Sequence, residues 1–159
     1  MINPNPDGGL PHGSNHGASV VNTAIIYQYR DAANNKVAHQ VIFSGSLSDD
    51  VRSKIQGSLV SLDADEQHFI PGQVGLPDLQ MSFLSGSEPL RWYPDDDIWH
   101  ELCGISETIS PATQVGSIAD FAELVARTKW DEEYRPPFHA EMVENYEKYV
   151  AACDQDPSL

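Results

Sequence analysis

Two runs near the start of the chain, 23–30 and 37–45, alternate apolar and polar residues with the period of a half-buried β-strand. The segment between them, DAANNK, is rich in turn-forming residues, so the two runs predict an antiparallel hairpin. His39 falls on the apolar face of the second strand. We expect it to be a hydrogen-bonded core residue rather than a metal ligand, because buried polar groups usually find a partner.

Three later segments, 47–62, 116–130 and 138–153, repeat their apolar residues with the period of an amphipathic helix. Ser48 and Ser117 stand where the first two helices need an N-cap, and an acidic residue follows Ser117 at the third helical position. The apolar side of the third helix either packs on the domain or meets a partner, and packing is favoured.

Residues 66–84 mix apolar side chains with Pro and Gly, which interrupt regular elements. We predict a short strand, an ordered loop through Gly75 and a helical turn starting near Pro77. The apolar side chains of this segment cover the core or form an exposed patch, and core cover is favoured. Residues 98–109 alternate as a strand with two mostly apolar faces, which predicts a central strand covered on both sides.

Together these elements predict a single α+β domain at residues 22–153, with a small antiparallel sheet of three or four strands and about three helices. Residues 1–21 are rich in Asn, Pro, Gly and Ser and predict a flexible N-terminal tail, and residues 154–159 form a C-terminal tail. His12 and His16 lie in the first tail. The glycines beside them argue against a helix that would bring both imidazoles to one ion.

The chain of 159 residues is strongly acidic, with 24 Asp and Glu against 9 Lys and Arg and a formal net charge of −15. The excess is concentrated at residues 61–111, which hold ten acidic side chains and one basic side chain. This charge argues against direct binding to nucleic acid or to an anionic membrane surface, because both require cationic side chains. It suits a protein that presents negative charge to a basic protein partner, and it also serves solubility.

The two cysteines, Cys103 and Cys153, form no CxxC pair, and they predict free thiols in a reducing, cytoplasmic compartment rather than a disulfide. The first 17 residues lack the basic region and apolar run of a signal peptide. No stretch of the chain approaches the length of an apolar membrane-spanning helix.

The densest group of chemically active side chains is the segment RWYPDDDIWHEL at residues 91–102. Pro94 and the aspartates after it predict a turn. Aromatic side chains supply contact area and carboxylates orient a basic partner. We therefore predict a partner-binding patch that consists of Trp92, Tyr93, Asp95, Asp96 and Asp97. Trp92 and Tyr93 are expected to be exposed, whereas Trp99 is expected to belong to the core.

A metal site is the alternative interpretation of the same segment, with the ligands Asp95, Asp97, His100 and Glu101. His39 or His68 would join them through the fold, and Glu101 would act as the general base of a metal-assisted hydrolase. Side chains alternate along a strand, however, so His100 would point away from the carboxylates. The solvated acidic turn is therefore favoured, and no metal or cofactor is expected.

The absence of familiar catalytic motifs also favours a non-enzymatic protein. The sequence contains no P-loop, no dinucleotide-binding glycine pattern, no HExxH, no GxSxG and no EF-hand loop. The leading hypothesis is a small acidic interaction or regulatory protein that engages a basic surface of a partner protein. A regulator, an immunity or antidote protein, or an inhibitor that mimics nucleic acid fits this description. A third hypothesis, a structural subunit of a larger assembly, rests on the apolar run 69–83 and on the last helix.

Overall fold

The computed structural model describes residues 19–63, 65–83 and 88–155. Within these residues the chain forms a four-stranded antiparallel sheet and three α-helices, which confirms the predicted α+β domain. The elements are β1 (Asn22–Arg30), β2 (Lys36–Ser44), α1 (Asp49–Gly57), β3 (His68–Phe69), β4 (His100–Thr108), α2 (Ile118–Arg127) and α3 (His139–Gln155). Two short 3₁₀ helices, Pro71–Val74 and Leu79–Phe83, lie between β3 and β4. The predicted tail of residues 1–21 lies outside the described residues except for its last three.

The sheet has the strand order β2-β1-β4-β3, so β2 is an edge strand. β1 and β2 form the predicted hairpin, and Asn34 closes its turn at a φ of 65°, a left-handed conformation that Asn tolerates. The prediction that His39 is a core residue is wrong, because His39 is exposed. The reason is that α2 covers only the far end of β2, where Phe43 stacks on Phe121 with ring centroids 4.5 Å apart.

Helices α1 and α2 pack on one face of the sheet, and both begin at the predicted caps. The Ser48 side chain accepts a hydrogen bond from the backbone N–H of Val51, and Ser117 forms a complete capping box with Asp120. Helix α1 ends at Gly57, earlier than predicted, because the chain then turns to pair Val60 with His68. The main core joins the sheet, both helices and the 69–79 segment through Ile25, Tyr27, Tyr29, Val41, Phe43, Ile55, Phe69, Val74, Leu76, Leu79, Ile105, Ile118, Phe121, Ala122 and Val125.

Strand β4 contains a β-bulge at Cys103. Leu102 pairs with Tyr27, whereas Gly104 pairs with the neighbouring residue Ile26, so Cys103 is the extra residue. The bulge changes the alternation of side chains, and it brings Ile105 to the same core as Leu102. The prediction of a strand covered on both faces is wrong at Cys103, which is exposed. Cys103 and Cys153 are both free thiols.

A second, smaller core attaches α3 to the domain and consists of Ile70, Trp92, Ile98 and Met142. The Trp92 backbone N–H donates to the Met142 carbonyl at 3.1 Å, and the Asn145 amide donates to the Leu90 carbonyl at 3.0 Å. Trp130 packs against both cores. The N-terminal half of α3 therefore packs on the domain, whereas Tyr149 in its C-terminal half is partly exposed.

The apolar segment after β3 covers the core, as predicted, since Phe69, Ile70 and Leu79 are buried. Its first 3₁₀ helix contains Gly72 at a close approach to the loop before α3. A Cβ atom at this position would lie 2.0 Å from the hydroxyl oxygen of Tyr134. The carboxylate of Asp78 accepts hydrogen bonds from the Gly72 N–H and the Tyr134 hydroxyl, each at 3.3 Å. The burial of this segment removes one of the two observations behind the structural-subunit hypothesis.

Candidate functional site

The PDDD segment is a turn whose aspartates have different roles. The Asp96 N–H donates to the Tyr93 carbonyl at 3.0 Å and closes the turn around Pro94. The Asp96 carboxylate accepts hydrogen bonds from the backbone N–H groups of Tyr93 (2.9 Å) and Ala32 (3.1 Å), so it ties the turn to the β1–β2 hairpin. Asp95 is exposed. Within the described part of the chain, no hydrogen bond or ion pair engages its carboxylate.

The next aspartate of the segment, Asp97, is hydrogen-bonded by a neighbour in the sequence and also lines a cleft. Its carboxylate accepts a hydrogen bond from the Trp99 N–H at 2.9 Å. Burial raises the pKa of Asp97 above its usual value, although the Trp99 hydrogen bond and the nearby His68 oppose the rise. The carboxylate is therefore short of compensating positive charge.

The aromatic residues of the predicted patch separate into a buried and an exposed member. The prediction that Trp92 is exposed is wrong, because only 9% of it is accessible and its ring lies edge-on to His139 in the second core. Tyr93 is 43% exposed and makes an edge contact with Tyr146. Trp99, which was expected in the core, is half-buried. The exposed part of the predicted patch thus consists of Tyr93, Asp95 and Asp97.

His100 is fully buried, and both of its ring nitrogens are engaged. Nε2 accepts a hydrogen bond from the Leu79 N–H, and Nδ1 donates to the Ile98 carbonyl, each at 3.0 Å. This pattern defines a neutral imidazole, and burial lowers the pKa of His100 to about 4. His100 therefore has no nitrogen left for a metal ion.

Glu101 points to the opposite side of β4 from His100 and is paired with β1. It accepts hydrogen bonds from Arg30, at 2.6 Å, and from Gln28. Burial alone would raise the pKa of Glu101, but the hydrogen bonds from Arg30 and Gln28 bring it below its usual value. The structure consequently does not bring Asp95, Asp97, His100 and Glu101 together as one ligand set.

The three histidines considered as metal ligands from the sequence, His39, His68 and His100, do not share a site among the described residues. His39 and His100 each pack against the ring of Tyr27, with centroid distances of 5.9 and 6.0 Å. His68 lies on a different cleft, beside Asp97 and Glu101.

A cleft of about 760 Å³ lies between the hairpin and the turn. Gln80 lines the cleft and is only 2% exposed, and neither the nitrogen nor the oxygen of its buried carboxamide is hydrogen-bonded to any described residue. Arg91 lines the same cleft, donates to Glu88 at 2.8 Å and lies 4.2 Å from the ring centre of Tyr149. A ligand that offers a donor and an acceptor together, as a peptide group does, would satisfy both atoms of Gln80.

The sequence interpretation missed this cleft, and it missed the acidic residues Asp63 and Glu66, which lie beside His68. Gln80 stands among apolar residues in a segment broken by Pro and Gly, and only the fold shows that its amide is buried. The spacing Asp63, Glu66, His68 was visible in the sequence. In a loop, however, spacing alone does not place side chains on one face.

Comparison of the chain with protein-family models, with curated proteins and with solved structures gave no match in any of the three. In the part of the chain that the structure describes, no helix combines the length and apolar character needed to cross a membrane.

Proposed function

We propose that this protein is a small acidic, non-enzymatic binding protein that engages a basic segment of a partner protein and thereby regulates or inhibits it. One observation carries the proposal. Gln80 lines the cleft beside the Tyr93 turn, and its buried carboxamide has no hydrogen-bond partner among the described residues; Tyr93, which is exposed, and the acidic residues Asp31 and Asp96 line the same cleft.

Each part of this surface has a function in the proposed complex. The Gln80 carboxamide pairs with a main-chain amide of the partner, because its nitrogen donates and its oxygen accepts. Tyr93 supplies an aromatic contact at the rim. The free carboxylate of Asp95 beside it attracts Lys or Arg side chains.

The net charge of −15 supports association with a basic partner over a longer range. An excess of one sign raises the association rate with an oppositely charged surface, and salt weakens this attraction because the screening length at physiological ionic strength is about 8 Å. Lys36 and Arg91 also line the cleft, but the three acidic residues Asp31, Glu88 and Asp96 outnumber them, and Glu88 pairs with Arg91. We propose a cytoplasmic location, which the two free thiols support.

The experiment is a selection of random 12-residue peptides on the immobilised full-length protein at about 0.15 M salt. We expect the enriched peptides to contain Lys or Arg and to bind about tenfold more weakly to Tyr93→Ala, to Gln80→Ala and to the double variant Asp95→Asn, Asp97→Asn. The matched control removes the same charge elsewhere, through Glu133→Gln with Glu147→Gln, and should bind within about twofold of the wild type.

Three results count against the proposal. Enriched peptides without basic residues would show that charge complementarity does not select the partner. Equal losses in the Asp95, Asp97 variant and in the Glu133, Glu147 control would show that only total charge matters. Unchanged binding to Tyr93→Ala and Gln80→Ala would show that the cleft has no part in recognition.

A further inference from the structure

A second cleft, of about 230 Å³, lies on the side of the sheet edge where β3 pairs with β4. Asp63, Glu66 and His68 meet beside it, and each places one potential ligand atom within 4.8 Å of the others. They are brought together because Val60 and His68 exchange two backbone hydrogen bonds, at 2.7 and 2.9 Å, and thus close the loop between them. A further bond, from the Glu66 N–H to the Asp63 carbonyl at 3.3 Å, makes a turn within the loop.

The imidazole of His68 shows that this cluster is more than a group of exposed acids. His68 is only 6% exposed, and its Nδ1 has no hydrogen-bond partner among the described residues. Its Nε2 lies 3.6 Å from Glu66, which is longer than a good hydrogen bond. A buried nitrogen without a partner costs about 1–3 kcal/mol. Neither ring nitrogen therefore has a good hydrogen bond to a described residue, so Nε2, the nitrogen beside Glu66, is free to bind a cation.

The carboxylates around the cleft also favour the binding of a cation. Asp97 and Glu101 line the cleft together with Asp63 and His68. In the described part of the chain, Arg30 is the only Lys or Arg that lines it, and Arg30 is held closely by Glu101, at 2.6 Å. Its contact with Glu66 is longer, at 3.5 Å, so Glu66 can turn to an ion while Arg30 stays on Glu101. The carboxylates of Asp63, Glu66 and Asp97 are thus left with incomplete compensation.

The donor set decides the class of ion. One imidazole and two carboxylates are the ligands that zinc and manganese accept, whereas Ca²⁺ and Mg²⁺ prefer oxygen alone. We propose that Asp63, Glu66 and His68 bind one divalent transition-metal ion, with zinc held more tightly than manganese. Asp63 is exposed, so the coordination sphere is open to water on that side. The site is separate from the metal set Asp95, Asp97, His100 and Glu101 considered from the sequence.

The test is calorimetric titration of the full-length, chelator-treated chain with zinc, manganese and calcium salts in turn. The background carries His12→Ala and His16→Ala, because imidazole nitrogen is a zinc ligand and these two side chains would compete for the ion. We expect one zinc ion per chain, weaker manganese binding and no calcium binding at the same concentrations. Zinc affinity should fall about a hundredfold or more in His68→Ala and in the double variant Asp63→Asn, Glu66→Gln.

Matched controls change residues of the same kind that lie outside the cluster. His39→Ala removes an exposed histidine, and Asp65→Asn removes an exposed carboxylate from the same loop, so both should bind zinc as the background does. Because His68 is buried, its variant is checked for folding by circular dichroism. The Asp63, Glu66 double variant changes accessible side chains and keeps the test valid if His68→Ala unfolds.

A second readout locates the ion. Mn²⁺ is paramagnetic, and at a low molar ratio it should broaden the NMR signals of the His68 ring but leave those of His39 sharp. The proposal is overturned if the folded Asp63, Glu66 double variant binds zinc like the background. It is equally overturned if zinc binding disappears with His12 and His16, or if broadening spares His68.

Discussion

Acidification lowers the free energy of unfolding through the buried histidine of β4, and this loss begins at a pH above that at which most carboxylates titrate. The Nε2 atom of His100 accepts a hydrogen bond from the Leu79 N–H, so a proton on that atom breaks the bond and buries a charge. The neighbouring rings of Tyr27 and Tyr29 have pKa values raised by burial and stay neutral, so they supply no compensating charge. Burial accordingly lowers the pKa of His100 from 6.5 to about 4.

The size of the effect follows from the difference in proton uptake. In the unfolded chain His100 binds its proton near pH 6.5, whereas in the folded protein it does so near pH 4. Between these values the unfolded state binds more protons, so the free energy of unfolding falls as the pH falls, by up to about 1.4 kcal/mol per pH unit. Integration from about pH 7 to about pH 5 gives a loss of about 2 kcal/mol from this residue.

The assay is urea unfolding followed by tryptophan fluorescence at a series of pH values, for the wild type and for His100→Gln. Glutamine keeps one donor and one acceptor but does not titrate. We expect the variant to be less stable near neutral pH and to lose about 2 kcal/mol less than the wild type on acidification to about pH 5. His139→Gln is the control, because the pKa of His139 is also lowered, by burial and by Arg135, but the residue is less buried.

Parallel stability curves for the wild type and His100→Gln would refute this reasoning, since His100 would then take up its proton equally in both states. A larger loss of stability in His100→Gln than in the wild type between about pH 7 and about pH 5 would refute the sign. The carboxyl groups of Asp78 and Asp97 act in the opposite direction, because burial raises their pKa values, and they contribute at the acid end of the range.

Three further substitutions test the structure. Ser117→Ala should lower the free energy of unfolding by about 1 kcal/mol in urea, because the capping box of α2 is lost. Gly72→Ala should lower the melting temperature and cost about 1–3 kcal/mol, because its Cβ meets the Tyr134 side chain, and the cost should shrink in a Tyr134→Ala background. Gln80→Met should raise the free energy of unfolding by about 1–3 kcal/mol, because it removes two buried polar atoms that have no partner among the described residues, and peptide binding should be lost. Equal or lower stability of that variant would show that the amide is satisfied in solution.

The parts of the fold that depend on local sequence were predictable. The strands β1 and β2 and the cap at Ser117 involve residues close together in the chain, and each was found where the pattern placed it, although the predicted alternation failed at His39. The bulge at Cys103 was not predictable, because it depends on the register between β4 and β1. Regular alternation would put Leu102 and Ile105 on opposite faces, but the extra residue puts both on the core face.

The candidate site was predictable only as a turn. Pro94 and the aspartates after it indicated that turn, and the structure contains it. The burial of Trp92 depends on Met142, 50 residues away in the sequence, so no local pattern indicated which tryptophan would be exposed. The ligand cluster likewise depends on the pairing of Val60 with His68, which is too short to produce a periodic pattern.

The division of the apolar interior into two cores affects which part of the protein unfolds first. Helix α3 buries only Met142, whereas the sheet and the first two helices share the large core. Trp130 contacts both clusters and donates a hydrogen bond to the Ser58 carbonyl at 2.9 Å, so it stays with the larger one. Helix α3 and the strand-free segment that includes Trp92 can therefore unfold locally while the sheet remains intact. Tyr93 belongs to this less stable region, so the binding surface can adjust to a partner at a free-energy cost well below that of global unfolding.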